Sequence, residues 1–295
     1  MSADRPPHPD PGLARLEGTL HGLGSAVVAL SGGVDSATLA VLSHRVLGAR
    51  SLAVTGVSPS LSAYQQGLVE TVLKQCPMPH AWIRTDEMEA EGYRRNGADR
   101  CYFCKFELYG RLARFAARRG YAAVLDGTNA DDVGDARPGR RAATEFGVRS
   151  PLLEAGLGKA AIRRLARRLE VPVAEEPASA CLSSRIPHAI RIDAPLLHRI
   201  EAGEAAVRGL GFRAFRVRHE GDYARIELPE AEIAEALRPK TAARLADGLA
   251  AAGYPRAAVD LRGYGPAGIR RPFVADRDLA WLPVPDGQGA EPARG

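Results

Sequence analysis

The chain has 295 residues, of which 45 % are hydrophobic and 25 % charged, and a formal net charge of +5. That balance fits a folded protein with one large domain and a smaller one, and it excludes a disordered or fibrous chain. No apolar run approaches the roughly 20 residues that cross a bilayer, and the opening MSADRPPHPDPG lacks the apolar region of a secretory leader, so a cytoplasmic location without a membrane partner is expected.

Residues 1–12 and 276–295 are rich in Pro, Gly and charge and are expected to be loose tails. Between them, β-prone runs alternate with helical patterns. GSAVVAL reads as a buried strand, followed by a helix over 36–47 that stops at Gly48. SLAVTGV is a second strand, with a helix over 61–75 behind it, and HAWIRTD a third. A helix over 104–118 carries Phe106, Tyr109, Leu112 and Ala116 on one face and ends at Gly120. AAVLDGTN is a fourth strand, and a helix follows over 159–170. There Ile162, Leu165, Ala166 and Leu169 form the apolar stripe, while Arg163, Arg164, Arg167 and Arg168 face water.

This alternation predicts an α/β fold with a parallel sheet and crossover helices. The rhythm changes over 186–192. Beyond it, a helix over 195–210, a hairpin turning at Glu220-Gly221-Asp222, two short helices and a strand AAVDLRG form a compact α+β unit. The expected domains are therefore 13–190 and 191–275, the second assigned to substrate binding and oligomerisation.

The first strand runs directly into Ser31-Gly32-Gly33-Val34-Asp35-Ser36. Paired glycines let backbone N–H groups approach a ligand closely, and the following helix start adds unpaired N–H groups and a positive dipole end. The result is a cradle for phosphates. It has neither the spacing nor the lysine of a Walker A loop, and it is not a dinucleotide fingerprint. Asp35 is suited to a hard cation such as Mg2+. At the end of the fourth strand, Gly127, Thr128 and Asn129 stand where open α/β sheets bind ligands. Asp131, Asp132 and Asp135 offer carboxylates there, or a helix-capping cluster; Arg137, Arg140 and Arg149 offer positive charge.

Cys101 and Cys104 are spaced CxxC at a helix start, where the dipole favours thiolates. Cys181 lies in a Ser-rich loop, EEPASACLSSRIP. Two thiols and a distant third suit an iron–sulfur cluster with one open iron, or a zinc lacking one ligand. Cys76, in KQCPMP, has no partner pattern and reads as an ordinary thiol.

The six-residue turn resembles the SGGxDS signature of the PP-loop ATP pyrophosphatases, whose domain is Rossmann-like (adenine nucleotide alpha-hydrolase-like). The resemblance implies that Ser31, Gly32, Gly33, Asp35 and Ser36 grip the pyrophosphate of ATP or its Mg2+. SGGVDS, DGTNADD, RPGRRA, GVRSPL, ACLSSRIP and RVRHEGDYARIELPE stand in the order of one subfamily. That subfamily comprises the ATP-dependent sulfur transferases of nickel-pincer cofactor biosynthesis, which serve lactate racemase maturation. The resemblance spans about residues 12–275. It implies a nucleotide substrate, pyridinium-3,5-biscarboxylic acid mononucleotide, whose carboxylates are adenylated and then converted to thiocarboxylates. It also implies a homo-oligomer.

One version of the family sacrifices the sulfur of the cysteine at position 181. The other uses three cysteines to hold a [4Fe-4S] cluster carrying an extra sulfide. With Cys101, Cys104 and Cys181 all present, the cluster version is expected. By motif alignment Glu204, Arg216, Arg218 and Glu235 fall where the family contacts substrate and metal, and Arg185 is placed to steady the adenylate. Three rivals were weighed. An ammonia-fed ligase gives the cysteines no role. A tRNA-thiolating enzyme needs a basic RNA face, which the Glu-rich C-terminal unit does not offer, so no stable nucleic acid partner is expected. A zinc-stapled adaptor would be non-catalytic.

Overall fold

The computed structural model describes residues 11–132, 138–178 and 180–264. Asp135 and Arg137, the outer part of the N-terminal tail and everything beyond Tyr264 lie outside the described residues.

In chain order the elements are α1 (Pro11–Leu23), β1 (Ala26–Ala29), α2 (Val34–Leu47), β2 (Ser51–Val57), α3 (Ala63–Gln75), β3 (His80–Arg84), α4 (Glu91–Arg94), α5 (Arg100–Arg119), β4 (Ala123–Leu125), α6 (Pro138–Glu145), α7 (Pro151–Glu154) and α8 (Lys159–Arg168). The C-terminal part holds α9 (Ala194–Gly209), β5 (Arg216–Glu220), β6 (Tyr223–Glu227), α10 (Glu230–Ala236), α11 (Pro239–Ala251) and β7 (Arg256–Val259). The first four strands form a parallel sheet in the order β3-β2-β1-β4. The last three form a second sheet, with β5 and β6 antiparallel and β7 parallel to β6.

Strand alternation sorts the side chains of β1 to two faces. Ala26 and Val28 join a core with Leu16 and Leu20 of α1, Ala37 and Val41 of α2, and Ile162, Leu165 and Ala166 of α8. Val27 points the other way, to Tyr109 and Leu112 of α5 and Ala142 of α6. Helices therefore cover both faces, giving the Rossmann-like layering expected. A further core gathers Leu197, Ile200 and Val207 of α9 with Val217, Ala224, Ile226, Leu249 and Tyr254, and it also takes in Tyr93, Leu182, Ile186 and Ile192.

The local punctuation follows its residue chemistry. Ser62 and Gln65 make a reciprocal capping box at the start of α3. Gly120 ends α5 in the left-handed conformation at φ 72. Two expectations differ from the structure. Residues 11–23 form a helix whose Leu16 and Leu20 are fully buried, so order begins inside the stretch read as a loose tail. Phe106 does not share the buried face of Tyr109, Leu112 and Ala116; it is 44 % exposed, against Tyr102 and Phe146. Its position is about a quarter-turn off that stripe.

If α1 is part of the core, Leu20→Ala removes packed apolar volume and should cost about 2–5 kcal/mol. A denaturant titration checks this; an unchanged midpoint would mean that the helix is dispensable.

Candidate active site

The carboxyl edge of the parallel sheet collects the polar groups. Ser31 follows β1, Ser58 and Ser60 follow β2, Glu87 follows β3 and Asp126 follows β4. The strand order reverses between β1 and β4, the position where open α/β sheets form a ligand crevice.

At that crevice Gly32 has φ +82, and a Cβ on it would stand 2.8 Å from the Gln65 carbonyl. The turn is closed by Ser36, whose hydroxyl accepts from Ser31 N at 3.1 Å and donates to the Gly33 carbonyl at 3.1 Å. The strand β4 side is equally tight. A Cβ on Gly127 would lie 2.8 Å from Ser36 N, so only glycine lets the two motifs touch. Asn129 is fully buried and donates from Nδ2 to Asp35 Oδ2 at 3.2 Å. Lys159, the first residue of α8, donates to the same carboxylate oxygen. Asp35 Oδ1 is buried without a hydrogen-bond partner. A free, buried carboxylate oxygen at the mouth of a phosphate cradle fits a divalent cation.

Asp131 caps α8 by accepting from Lys159 N at 2.7 Å, so here the structural alternative to a ligand role holds. Arg149 pairs with Glu154, and Arg140 lies exposed on α6.

Asp126 anchors the next layer. Its buried carboxylate accepts from Tyr109 Oη at 2.5 Å, Thr128 Oγ1 at 2.9 Å and Ser150 Oγ at 2.7 Å, with Lys105 Nζ 3.8 Å away. Burial alone would raise its pKa, but the Lys105 charge and these hydrogen bonds hold it below the ordinary value.

Lys105 follows the CxxC pair. Cys101 is exposed, while Cys104 and Cys181 are partly covered. Burial first, then the charge of Glu87, then Cys181, push the Cys104 thiol well above its ordinary pKa, with a smaller push from Cys101. For Cys104 this departs from the expected dipole-favoured thiolate, because desolvation and the Glu87 charge outweigh the helix start. The mutual influence also brings the three cysteines into one electrostatic neighbourhood. Cys76 belongs elsewhere, beside Arg45 and Glu170. Among the described residues no group of three His, Cys, Asp or Glu is spaced for a single metal ion. Cluster thiolates bind different irons, so three thiols around one neighbourhood suit a cluster by donor chemistry. Glu87 is 2 % exposed and accepts from Ser60 Oγ at 2.9 Å and Ser58 Oγ at 2.5 Å; its Oε2 is buried without a partner.

The turn after Cys181 ties this neighbourhood to the C-terminal part. Leu182 N donates to the Ser60 carbonyl at 3.1 Å. Ser183 bonds Tyr93 Oη at 2.5 Å and its carbonyl accepts from Arg100 Nη1 at 2.8 Å. The Ser184 carbonyl accepts from Arg218 Nη1 at 2.5 Å. Arg185 Nε donates to Glu204 Oε1 at 2.6 Å, both side chains nearly buried.

Arg216 and Arg218 share one face of β5, and both approach Glu227, at 3.7 Å and 3.0 Å. Arg216 Nη1 is buried and lacks a hydrogen-bond partner. Burial lowers its pKa, assisted by the charges of Arg218 and Arg185. Arg225, opposite Arg218 on β6, joins them at Glu227 and also pairs with Glu220 and Asp260, so the charges of the network balance and the unsatisfied Arg216 Nη1 is the group left to meet an anion. A cavity of about 310 Å³ opens beside Glu204, lined in part by Ser62, Tyr64 and Arg208. Glu235 is not drawn into this network; it is exposed and pairs with Arg238 and Thr241.

Lys159, Glu87, Tyr93, Arg100 and Glu227 were not singled out as site residues from the sequence. Of these only Lys159 carries a local signal, because a lysine in the first turn of a helix opposes the dipole.

No family model matches the chain. It is 38 % identical over 249 residues to an uncharacterized protein of Synechocystis sp., slr1717, covering 84 % of this chain and 93 % of that one. It is 35 % identical over 225 residues to the pyridinium-3,5-bisthiocarboxylic acid mononucleotide synthase of Lactiplantibacillus plantarum, covering 76 % and 82 %. An uncharacterized protein of Methanocaldococcus jannaschii, MJ0830, is 29 % identical over 204 residues, covering 69 % and 77 %.

The depressed pKa of Asp126 has a pH consequence. Its stabilisation is present above the unfolded carboxylate value of about 3.9 and is lost as pH falls through the lower folded value. Asp126→Asn should cost about 1–3 kcal/mol at neutral pH and flatten the acid limb of stability. Denaturant titrations at neutral pH and near pH 3 measure both; an equal acid loss in the variant would contradict the assignment.

Proposed function

The chain belongs to the family of the pyridinium-3,5-bisthiocarboxylic acid mononucleotide synthase, and on that premise we propose that it is an ATP-dependent sulfur transferase acting on pyridinium-3,5-biscarboxylic acid mononucleotide, for nickel-pincer cofactor synthesis. The observation that carries this reading is the 182–185 turn, which hydrogen-bonds to Ser60 at the sheet edge bearing the SGGVDS loop, to Arg100 of α5, and to Arg218 of the second sheet.

The SGGVDS loop and the start of α2 receive the β- and γ-phosphates of ATP. Asp35 offers its free Oδ1 to Mg2+, and Lys159 can exchange its contact with Asp35 for a phosphate oxygen. Arg216 and Arg218, assisted by Arg185, hold the anionic substrate so that a carboxylate oxygen faces the α-phosphorus. An O–P bond forms, the α–β bridging P–O bond breaks, and pyrophosphate leaves. The acyl adenylate is now an electrophile with a good leaving group: attack by sulfur forms the C–S bond, breaks the C–O bond and releases AMP.

Cys101, Cys104 and Cys181 would hold a [4Fe-4S] cluster, which when bound supplies transferable sulfide. The chain's own contribution is to set the partly covered Cys104 and Cys181 beside the buried Glu87 and Tyr93. Water is then less available to compete for the adenylate.

The test is anaerobic incubation of the reconstituted protein with ATP, Mg2+, sulfide and the biscarboxylate nucleotide, read by mass spectrometry. The expected result is a brown protein that makes more than one thiocarboxylate per chain with Cys181 intact. Loss of sulfur from Cys181 would overturn the cluster route, and absence of any thiolated product would overturn the substrate. Asp35→Asn should slow pyrophosphate release roughly a hundredfold. Cys104→Ser should leave pyrophosphate release and abolish thiolation.

A further inference from the structure

A second basic region lies on the outer side of the sheet. Between the edge strand β3 and the C-terminal two-thirds of α5 is a groove of about 640 Å³, lined by Ile83, Arg84, Arg111, Arg114, Phe115, Arg118 and Arg119. Along α5 the groove runs from Arg111 to Arg119, seven to fifteen residues beyond Cys104, or about 10 to 22 Å at 1.5 Å per residue.

Its charge is not balanced internally. Arg84 pairs with Asp86 at 3.1 Å, and Arg111 pairs with Asp86 at 2.5 Å and also with Glu107. Among the described residues no carboxylate pairs Arg114, Arg118 or Arg119, and all three are exposed. Arg118 and Arg119 stand in the last turn of α5, where the dipole favours cations. Arg114 has no such explanation, and it sits four residues from Arg118, a like-charge spacing that disfavours a helix. An anion in the groove would relieve that repulsion.

The shape narrows the anion. All five cations are arginines, whose planar forks match phosphate oxygens two at a time. Ile83 and Phe115 are half-buried; Phe115 stacks on Tyr121, and the Arg119 guanidinium lies over its ring at 5.7 Å. The volume lies in the range that holds a small organic ligand. Phosphates against guanidiniums, and a base stacked on Arg119 where Phe115 backs it, describe a nucleotide. We infer that this groove is a second nucleotide-binding site, remote from the SGGVDS loop, that takes a free polyphosphorylated nucleotide.

Photolabelling of the full chain with 8-azido-ATP and peptide mapping tests this. Two labelled regions are expected, one at the SGGVDS loop and one on the β3–α5 peptides. Arg114→Glu with Arg118→Glu should lower the second label about tenfold or more and leave the first unchanged; the milder Arg114→Ala with Arg118→Ala should fall between, which guards against a folding defect. Label confined to the SGGVDS loop, or a second label that the arginine variants do not change, would overturn the inference. Displacement of the second label by a poly-glutamate peptide but not by ADP would make the groove a docking face for an acidic protein, and would also overturn it.

Discussion

Five consecutive residues, Cys181 to Arg185, carry the join between the two halves of the candidate site. Leu182 and Ser183 are held by Ser60, Tyr93 and Arg100 on the larger sheet's side; Ser184 and Arg185 are held by Arg218 and Glu204 on the other. Each buried hydrogen bond contributes about 1 kcal/mol net, and those to charged groups about 1.5–3 kcal/mol. The Arg185–Glu204 pair is nearly buried, so its net stabilisation is small, while loss of either member would leave an uncompensated charge in the interior. What the pair provides above all is a fixed position for Cys181 relative to Arg216 and Arg218. Asn96 reinforces the same loop from below. It adopts φ 55, a conformation asparagine tolerates better than most residues, and its Nδ2 reaches the carbonyls of Pro187 and Ile190 at 2.7 and 3.0 Å.

The electrostatics fit this framework. Asp35 Oδ1 and Glu87 Oε2 are orphaned acceptors on the larger sheet's side, and Arg216 Nη1 is an orphaned donor on the other. Buried polar groups without partners cost free energy, and they concentrate at sites that receive ligands. Their signs are suited to a cation beside the phosphate cradle and an anion beside β5. Between them, burial raises the pKa of Tyr93 and Cys104 and lowers that of Arg216. For Cys104 this burial favours the neutral thiol.

Much of this was legible in the sequence. The strand over Ser51–Val57 and the helix end at Gly48 coincide with the structure, because β-branched runs and glycine stops act locally. The SGGVDS turn and DGTN motif were readable for the same reason, since glycines at close approaches leave a mark on the chain. α1 was not read, because its Leu16 and Leu20 stripe lies beside a Pro-rich stretch that suggests disorder. Glu87, Tyr93 and Arg100 have no local signature; their importance comes from partners up to 90 residues away, which only folding brings near, and Glu227 gains its own from the pairing of β5 with β6. The altered Cys104 pKa is likewise tertiary, since burial and Glu87 outweigh what the helix start alone suggests.

The central claim is that the clamped turn couples activation of the carboxylate to arrival of sulfur. Tyr93→Phe tests it with the least damage, because it deletes only the hydroxyl bonded to Ser183. The measurement is the ratio of thiocarboxylate formed to pyrophosphate released, in the reconstituted protein under anaerobic conditions. The account predicts that pyrophosphate release persists while the ratio falls, the adenylate being lost to water. A ratio equal to that of the unaltered protein would contradict it.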